Sequence, residues 1–107
     1  MITPQVRLVV RPHGELTAAT VKAVRLRLLG ALAKGPDVLE VDLRRVTHLS
    51  ADGCGALHAA GVVARSVDTR LIITHAQPRA RAILGQAGLS PALQDDADHE
   101  CSPESSA

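Results

Sequence analysis

The chain has 107 residues, 46% of them hydrophobic, a formal net charge of +1 and no Phe, Trp or Tyr. That length supports one hydrophobic core, built from 14 Leu, 11 Val, 4 Ile and 17 Ala, and not two. The aromatic blank excludes base stacking on aromatic platforms, aromatic cages for quaternary ammonium groups, and Trp or Tyr anchors at a membrane interface.

The near-neutral total hides an asymmetry. All 12 Lys and Arg lie in residues 1–89 with only six acids, a local charge of +6, whereas residues 90–107 carry five acids and no base. Such a mildly basic body with an acidic tail is not the dense, one-faced positive footprint of a nucleic-acid binder. Cys54 and Cys101 are too few and too far apart for a disulfide framework or a four-ligand zinc site. The front of the chain shows no basic segment followed by an apolar stretch, and no apolar run approaches the ~20 residues of a membrane span. The expectation is a cytoplasmic protein with no membrane insertion.

In chain order, Val6-Arg7-Leu8-Val9-Val10 reads as a strand closed by the turn cluster Pro12-His13-Gly14. A helix fits Ala18 to Ala33, with Thr17 as N-cap, Gly35-Pro36 as stop, and Val21, Val24, Leu28 and Leu32 at helical spacing. Val38 to Leu43 is a second strand, followed by a loop from Arg44 to Ser50. The small-residue segment Ala51 to Arg65 then reads as a helix whose Cys54, Leu57, Gly61 and Ala64 share one face. Its glycines lower helix propensity but permit close packing on a sheet. Arg70 to His75 is the third strand. Pro78 opens a third helix that Gly88 ends. Residues 1–93 form the domain, and residues 94–107 read as an acidic, disordered tail. Strands alternating with helices define an α/β layer fold with a small mixed, mostly parallel sheet.

Four stretches resemble the STAS domain, the family named for sulfate transporters and anti-sigma factor antagonists. They are Gly14-Glu15-Leu16-Thr17, Val41-Asp42-Leu43, Leu49-Ser50-Ala51-Asp52-Gly53-Cys54-Gly55-Ala56-Leu57, and Gln77 to Leu84 followed by Ala87-Gly88-Leu89. No single block is specific, but the ordered set is. The resemblance implies a protein-binding module, with no cofactor, no metal and no enzyme activity. It further implies that the module regulates transcription by binding an anti-sigma factor that is also a serine kinase. In such antagonists the second helix begins Asp-Ser-Ser-Gly-x-Gly, and phosphorylation of a Ser there abolishes binding.

Here Ser50 stands in the place of that Asp, Ala51 in that of the phosphoacceptor, and Asp52 in that of the second Ser, while Gly53 and Gly55 match. The partner-binding switch loop implied by the resemblance is therefore Ser50, Ala51, Asp52, Gly53 and Gly55, with Arg44, Arg45 and His48 at its edge. Three accounts of Asp52 stand side by side. It complements the positive end of the helix dipole, it imitates phosphoserine, or it sits in a domain locked in the binding state because Ala51 cannot be modified. The last is preferred to imitation. Ser50 is either a helix cap or a phosphoacceptor displaced by one position.

An alternative is a non-phosphorylated STAS subunit of another assembly, such as a lipid-transport ATP-binding-cassette complex. Other constellations are weaker. Ser50, Asp52, His48 and His75 lack a Gly-x-Ser-x-Gly elbow. Cys54 and His58 lie one helical turn apart, but two ligands do not make a metal site, and Cys54 reads as a buried core thiol. Family members usually carry an extra N-terminal edge strand, for which residues 1–5 offer only a stub. The first strand's outer edge is therefore expected to be open for a homodimer.

Overall fold

The computed structural model describes residues 5–94. Six strands, three helices and one 3₁₀ turn follow in the order β1 (Arg7–Val10), β2 (Gly14–Leu16), α1 (Val21–Leu32), β3 (Val38–Asp42), β4 (Val46–Leu49), α2 (Ala51–Ser66), β5 (Arg70–Thr74), α3 (Pro78–Gln86), the 3₁₀ turn (Ser90–Ala92) and β6 (Leu93–Gln94).

The main sheet has the order β1-β3-β5-β6, and a separate two-stranded ladder joins β2 to β4. Every described pair is parallel. The central strand β3 (Val-Leu-Glu-Val-Asp) is buried at four of five positions, the near-continuous apolar reading expected of a parallel strand covered on both faces. Around it Leu16, Leu28, Leu39, Leu43, Leu57, Ile73, Leu84 and Val41 are fully enclosed. The core is thus aliphatic throughout, as the composition requires. Among the described residues β1 has a strand partner on one side only, β3.

The three expected strands and three helices are present, with differences at their boundaries. The first helix begins at Val21, three residues later than expected. Thr17 forms a turn of its own before it, its carbonyl accepting from the amides of Thr20 and Val21 at 3.0 and 2.9 Å and its hydroxyl from Ala19 N at 3.3 Å. Thr20, not Thr17, is the N-cap residue.

The loop expected between Arg44 and Ser50 contains β4, whose Val46 and Leu49 point inward while Thr47 and His48 are exposed. Four residues with that spacing show no period-2 alternation, so the strand is invisible without its partner β2. At the C-terminal end, Gly88 takes φ +84° just past α3. This lets the Leu89 amide reach back to the Leu84 carbonyl at 2.9 Å and turns the chain toward β6. Gln94 pairs with Thr74, so the sheet runs one residue past the expected domain boundary. The rest of the expected tail (94–107), residues 95–107, lies outside the described residues, as does most of the expected N-terminal stub.

Candidate functional site

The start of α2 is built by three neighbouring residues. Ser50 is in extended backbone, and its Oγ accepts from the Gly53 amide at 3.3 Å, satisfying one of the amides that a helix N-terminus leaves unpaired. The same hydroxyl donates to the Leu16 carbonyl at 3.1 Å, and the Ser50 amide donates to that carbonyl at 2.9 Å. One oxygen at the end of β2 therefore anchors the helix start twice.

Gly53 lets this happen. A Cβ on Gly53 would lie 2.6 Å from the Leu16 carbonyl oxygen, 2.9 Å from Leu49 Cδ1 and 3.0 Å from Leu16 Cβ, and the first of these is backbone that no rotamer can move. Gly55 is different, because a Cβ there meets nothing within 4 Å. The two matching glycines thus have separate meanings. Gly53 is required by the fold, and Gly55 lies on the exposed side of the helix.

Ala51, Asp52 and Gly55 are all exposed. Beyond them the same surface continues over exposed His58, Ala59 and Val62, the last 54% exposed. This gives a low-relief ridge with one carboxylate in its first turn, where an acid complements the helix dipole.

The expected edge residues divide into two groups. His48 is exposed on β4 and lines a groove of about 270 Å³ with Leu43, Val46, Pro78, Arg79 and Ile83, beside the start of α3. Arg44 and Arg45, at the other end of β4, line a second cavity of about 220 Å³ with Arg11 and Asp42. The sequence grouped these three side chains as one rim, and β4 separates them.

Of the second group, Arg44 belongs to a network for which the sequence alone gave no account. Asp42, only 2% exposed at the end of β3, accepts at Oδ1 from the Arg44 amide at 2.9 Å and at Oδ2 from Arg11 Nε at 3.2 Å. Its Oδ1 also lies 3.2 Å from His75 Nδ1. Arg44 Nη2 sits 2.9 Å from His75 Nε2. A guanidinium can only donate, so Nε2 is the acceptor and the imidazole proton is assigned to Nδ1, facing Asp42.

Glu40 continues the network, with Oε1 2.6 Å from Arg7 Nη2 and Oε2 accepting from the Thr74 hydroxyl at 2.6 Å. Burial by itself would raise the pKa of Asp42. The hydrogen bonds from the Arg44 amide and Arg11, with the Arg44 charge, outweigh it and hold the carboxyl below its ordinary value. Glu40 behaves likewise, burial being outweighed by the Thr74 hydroxyl and Arg7. His75 sits at φ +58°, a left-handed conformation uncommon outside Gly, Asn, Asp and His. The signal available in the sequence was the lone carboxylate of Val41-Asp42-Leu43. A charged residue in a strand that is apolar on both faces must have partners, but the sequence does not name them.

Donor atoms of Glu40, Asp42 and His75 come within 4.8 Å of one another, the spacing a cation could bridge. Each carboxylate already faces an arginine, so the donor set is an ion-pair network rather than a vacant chelate. Cys54 is buried, and desolvation raises its pKa, which makes it a poor thiolate. His58, one turn on, is exposed. Ser50 Oγ bonds to Leu16 and Gly53, while His75 is turned to Asp42. Of the set weighed for catalysis, Ser50 and His75 are thus committed to other partners.

An all-parallel α/β layer carrying an exposed, small-residue helix start anchored on a short β2–β4 ladder is the architecture of a STAS domain. The chain belongs to that family: the family model described as "Mlab, STAS domain" matches residues 3–95.

Among solved structures, the chain is similar to the anti-sigma factor antagonist SpoIIAA in its unphosphorylated form, with TM-score 0.75 and 20% identity, covering 94% of this chain and 89% of that one. The phosphorylated form of SpoIIAA, a Bacillus cell fate determinant, gives TM-score 0.69 and 21% identity, with 96% and 94% covered. A sulfate transporter family protein from Wolinella succinogenes gives TM-score 0.70 and 21% identity, with 90% and 81% covered. Identities this low establish the shared fold. No curated protein matches the chain by sequence. Among the described residues no helix is long and apolar enough to cross a membrane.

Proposed function

We propose that this chain is a protein-docking module of the anti-sigma factor antagonist type and not an enzyme, acting through the start of α2 on an anti-sigma factor that is also a serine kinase. The observation that carries this reading is the exposed surface of Ala51, Asp52 and Gly55, where the absence of a Cβ on Gly55 leaves room for a partner backbone to approach. Ala51 offers no hydroxyl for phosphate. Phosphorylation of Ser50 would remove the proton that its hydroxyl donates to Leu16. The module therefore binds without the phosphorylation switch, and Asp52 serves the helix dipole and the contact.

The lack of a phosphoacceptor, together with the match to a family model described as Mlab, favours a second reading. In it the same helix docks into another assembly, such as a lipid-transport ATP-binding-cassette complex, again without phosphorylation.

The test is affinity capture from the native host with the wild-type chain and with Gly55→Leu, whose Cβ meets nothing within 4 Å in the isolated domain and whose side chain would obstruct the ridge. Capture of an anti-sigma kinase by wild type and its loss in Gly55→Leu supports the first reading. Capture of an ATP-binding-cassette subunit with the same loss supports the second. Equal capture of every partner by both chains would place the docking surface elsewhere and refute both.

A further inference from the structure

The cavity lined by Arg11, Asp42, Arg44 and Arg45 lies away from the α2 ridge and has a composition that the docking reading does not use. It opens at the carboxyl ends of β1 and β3, since Arg11 follows the last residue of β1 and Asp42 is the last residue of β3. That end of a parallel sheet is where α/β folds place small ligands. Three arginines and one carboxylate line it, and the carboxylate is already engaged: Oδ2 takes Arg11 Nε, and Oδ1 takes the Arg44 amide and His75. Two positive charges remain uncompensated by the lining.

The arginines also keep donors in reserve. Arg11 engages Asp42 through Nε, and Arg44 engages His75 through one terminal nitrogen, out of five N–H donors on each guanidinium. The Arg45 side chain makes no hydrogen bond or ion pair among the described residues, its carbonyl alone being tied, to the Gly14 amide at 3.0 Å. His75 holds the Arg44 side chain through Nη2 while Asp42 fixes its backbone amide, so part of the ordering of that side chain is already accomplished in the fold. At about 220 Å³ the space is below the roughly 300 Å³ at which sites for drug-sized ligands begin. That suits a tetrahedral oxyanion rather than a nucleotide.

We propose that this cavity is a binding site for a small doubly charged oxyanion of the phosphate or sulfate class, gripped by Arg11, Arg44 and Arg45. The forked geometry of arginine matches such an anion with paired, charge-assisted hydrogen bonds.

The experiment is a titration of the full chain at low ionic strength with inorganic phosphate, followed by backbone amide NMR, with sodium chloride at matched ionic strength as the control. The expected result is a saturable phosphate shift centred on residues 11 and 42–45, absent with chloride. Affinity should fall about tenfold or more in Arg45→Ala, the loss of one charge-assisted pair. An exposed side chain at position 45 makes that variant safe for folding. A methyl phosphate arm separates the sources of the ligand. Binding as tight as that of phosphate indicates a phosphoryl group carried on a larger molecule, and weaker binding indicates the free ion. Shifts equal to those in chloride, shifts centred on the start of α2, or an unchanged affinity in Arg45→Ala would each overturn the proposal. None of these outcomes bears on Gly55 or partner capture, so the docking reading stands or falls separately.

Discussion

Gly53→Ala offers the sharpest check on how the start of α2 is held. In an ordinary helix this change is favourable, because alanine exceeds glycine in helix propensity by about 1 kcal/mol. Here the new methyl group would enter at 2.6 Å from the Leu16 carbonyl oxygen and 2.9 Å from Leu49 Cδ1. Leu49 can yield by a rotamer adjustment, but the carbonyl cannot. Relief requires α2 to move off β2, and that movement stretches the two bonds from Ser50 to the same oxygen.

Overpacking of this kind typically costs about 1–3 kcal/mol, with a further ~1 kcal/mol for each hydrogen bond weakened. The propensity gain offsets only part of this, leaving a net loss of about 2 kcal/mol. For a domain of this size that lowers Tm by roughly 8–16 °C. Gly55→Ala is the internal control, since its methyl group meets open space, and it should gain about 0.5–1 kcal/mol. Urea denaturation of wild type and both variants, read by far-ultraviolet circular dichroism, measures the two signs together. A Gly53→Ala protein as stable as wild type would refute the anchoring role assigned to Leu16 and Gly53.

Ser50→Ala removes the cap and should cost about 1 kcal/mol in the same denaturation assay, while incubation of wild type with an anti-sigma kinase and ATP should leave the intact mass unchanged, because the hydroxyl is engaged. Asp42→Asn should lose about 2 kcal/mol at pH 7, the worth of hydrogen bonds to a charged group. The pKa of Asp42 is depressed in the fold, so its contribution is fully present above the unfolded carboxylate value of about 3.9 and is lost as pH falls through the lower folded value. The gap between wild type and Asp42→Asn should therefore narrow below about pH 4, and a constant gap from pH 7 to pH 2.5 would show that the carboxylate charge is not what stabilises the network. Cys54 should react with iodoacetamide only as fast as the chain unfolds, since it is buried and its pKa is raised. Rapid labelling of the native protein would refute that burial.

The helices and the central strands were legible because each has a single-segment signature. Val21, Val24, Leu28 and Leu32 fall on one helical face, and Val38 to Val41 is an apolar run with a single polar interruption. The elements that escaped are those whose stability lies in another segment. β4 exists because β2 pairs with it, and neither strand of that ladder exceeds four residues.

The site follows the same division. The Gly-x-Gly spacing announced a close approach at the start of α2, but it could not say which glycine makes it. Leu16, 37 positions earlier in the chain, decides in favour of Gly53. That leaves a Cβ at Gly55 without a contact inside the domain, and this difference, more than the motif itself, supports the proposed docking surface. The Asp42 network was illegible for a related reason. Its donors come from the ends of three strands that the topology gathers at one edge, and only the parallel order β1-β3-β5 turns Arg11, Asp42, Arg44 and His75 into neighbours. A parallel sheet collects strand ends from distant parts of the chain. A basic cavity assembled there is therefore a property of the topology, and no local window of the sequence contains it.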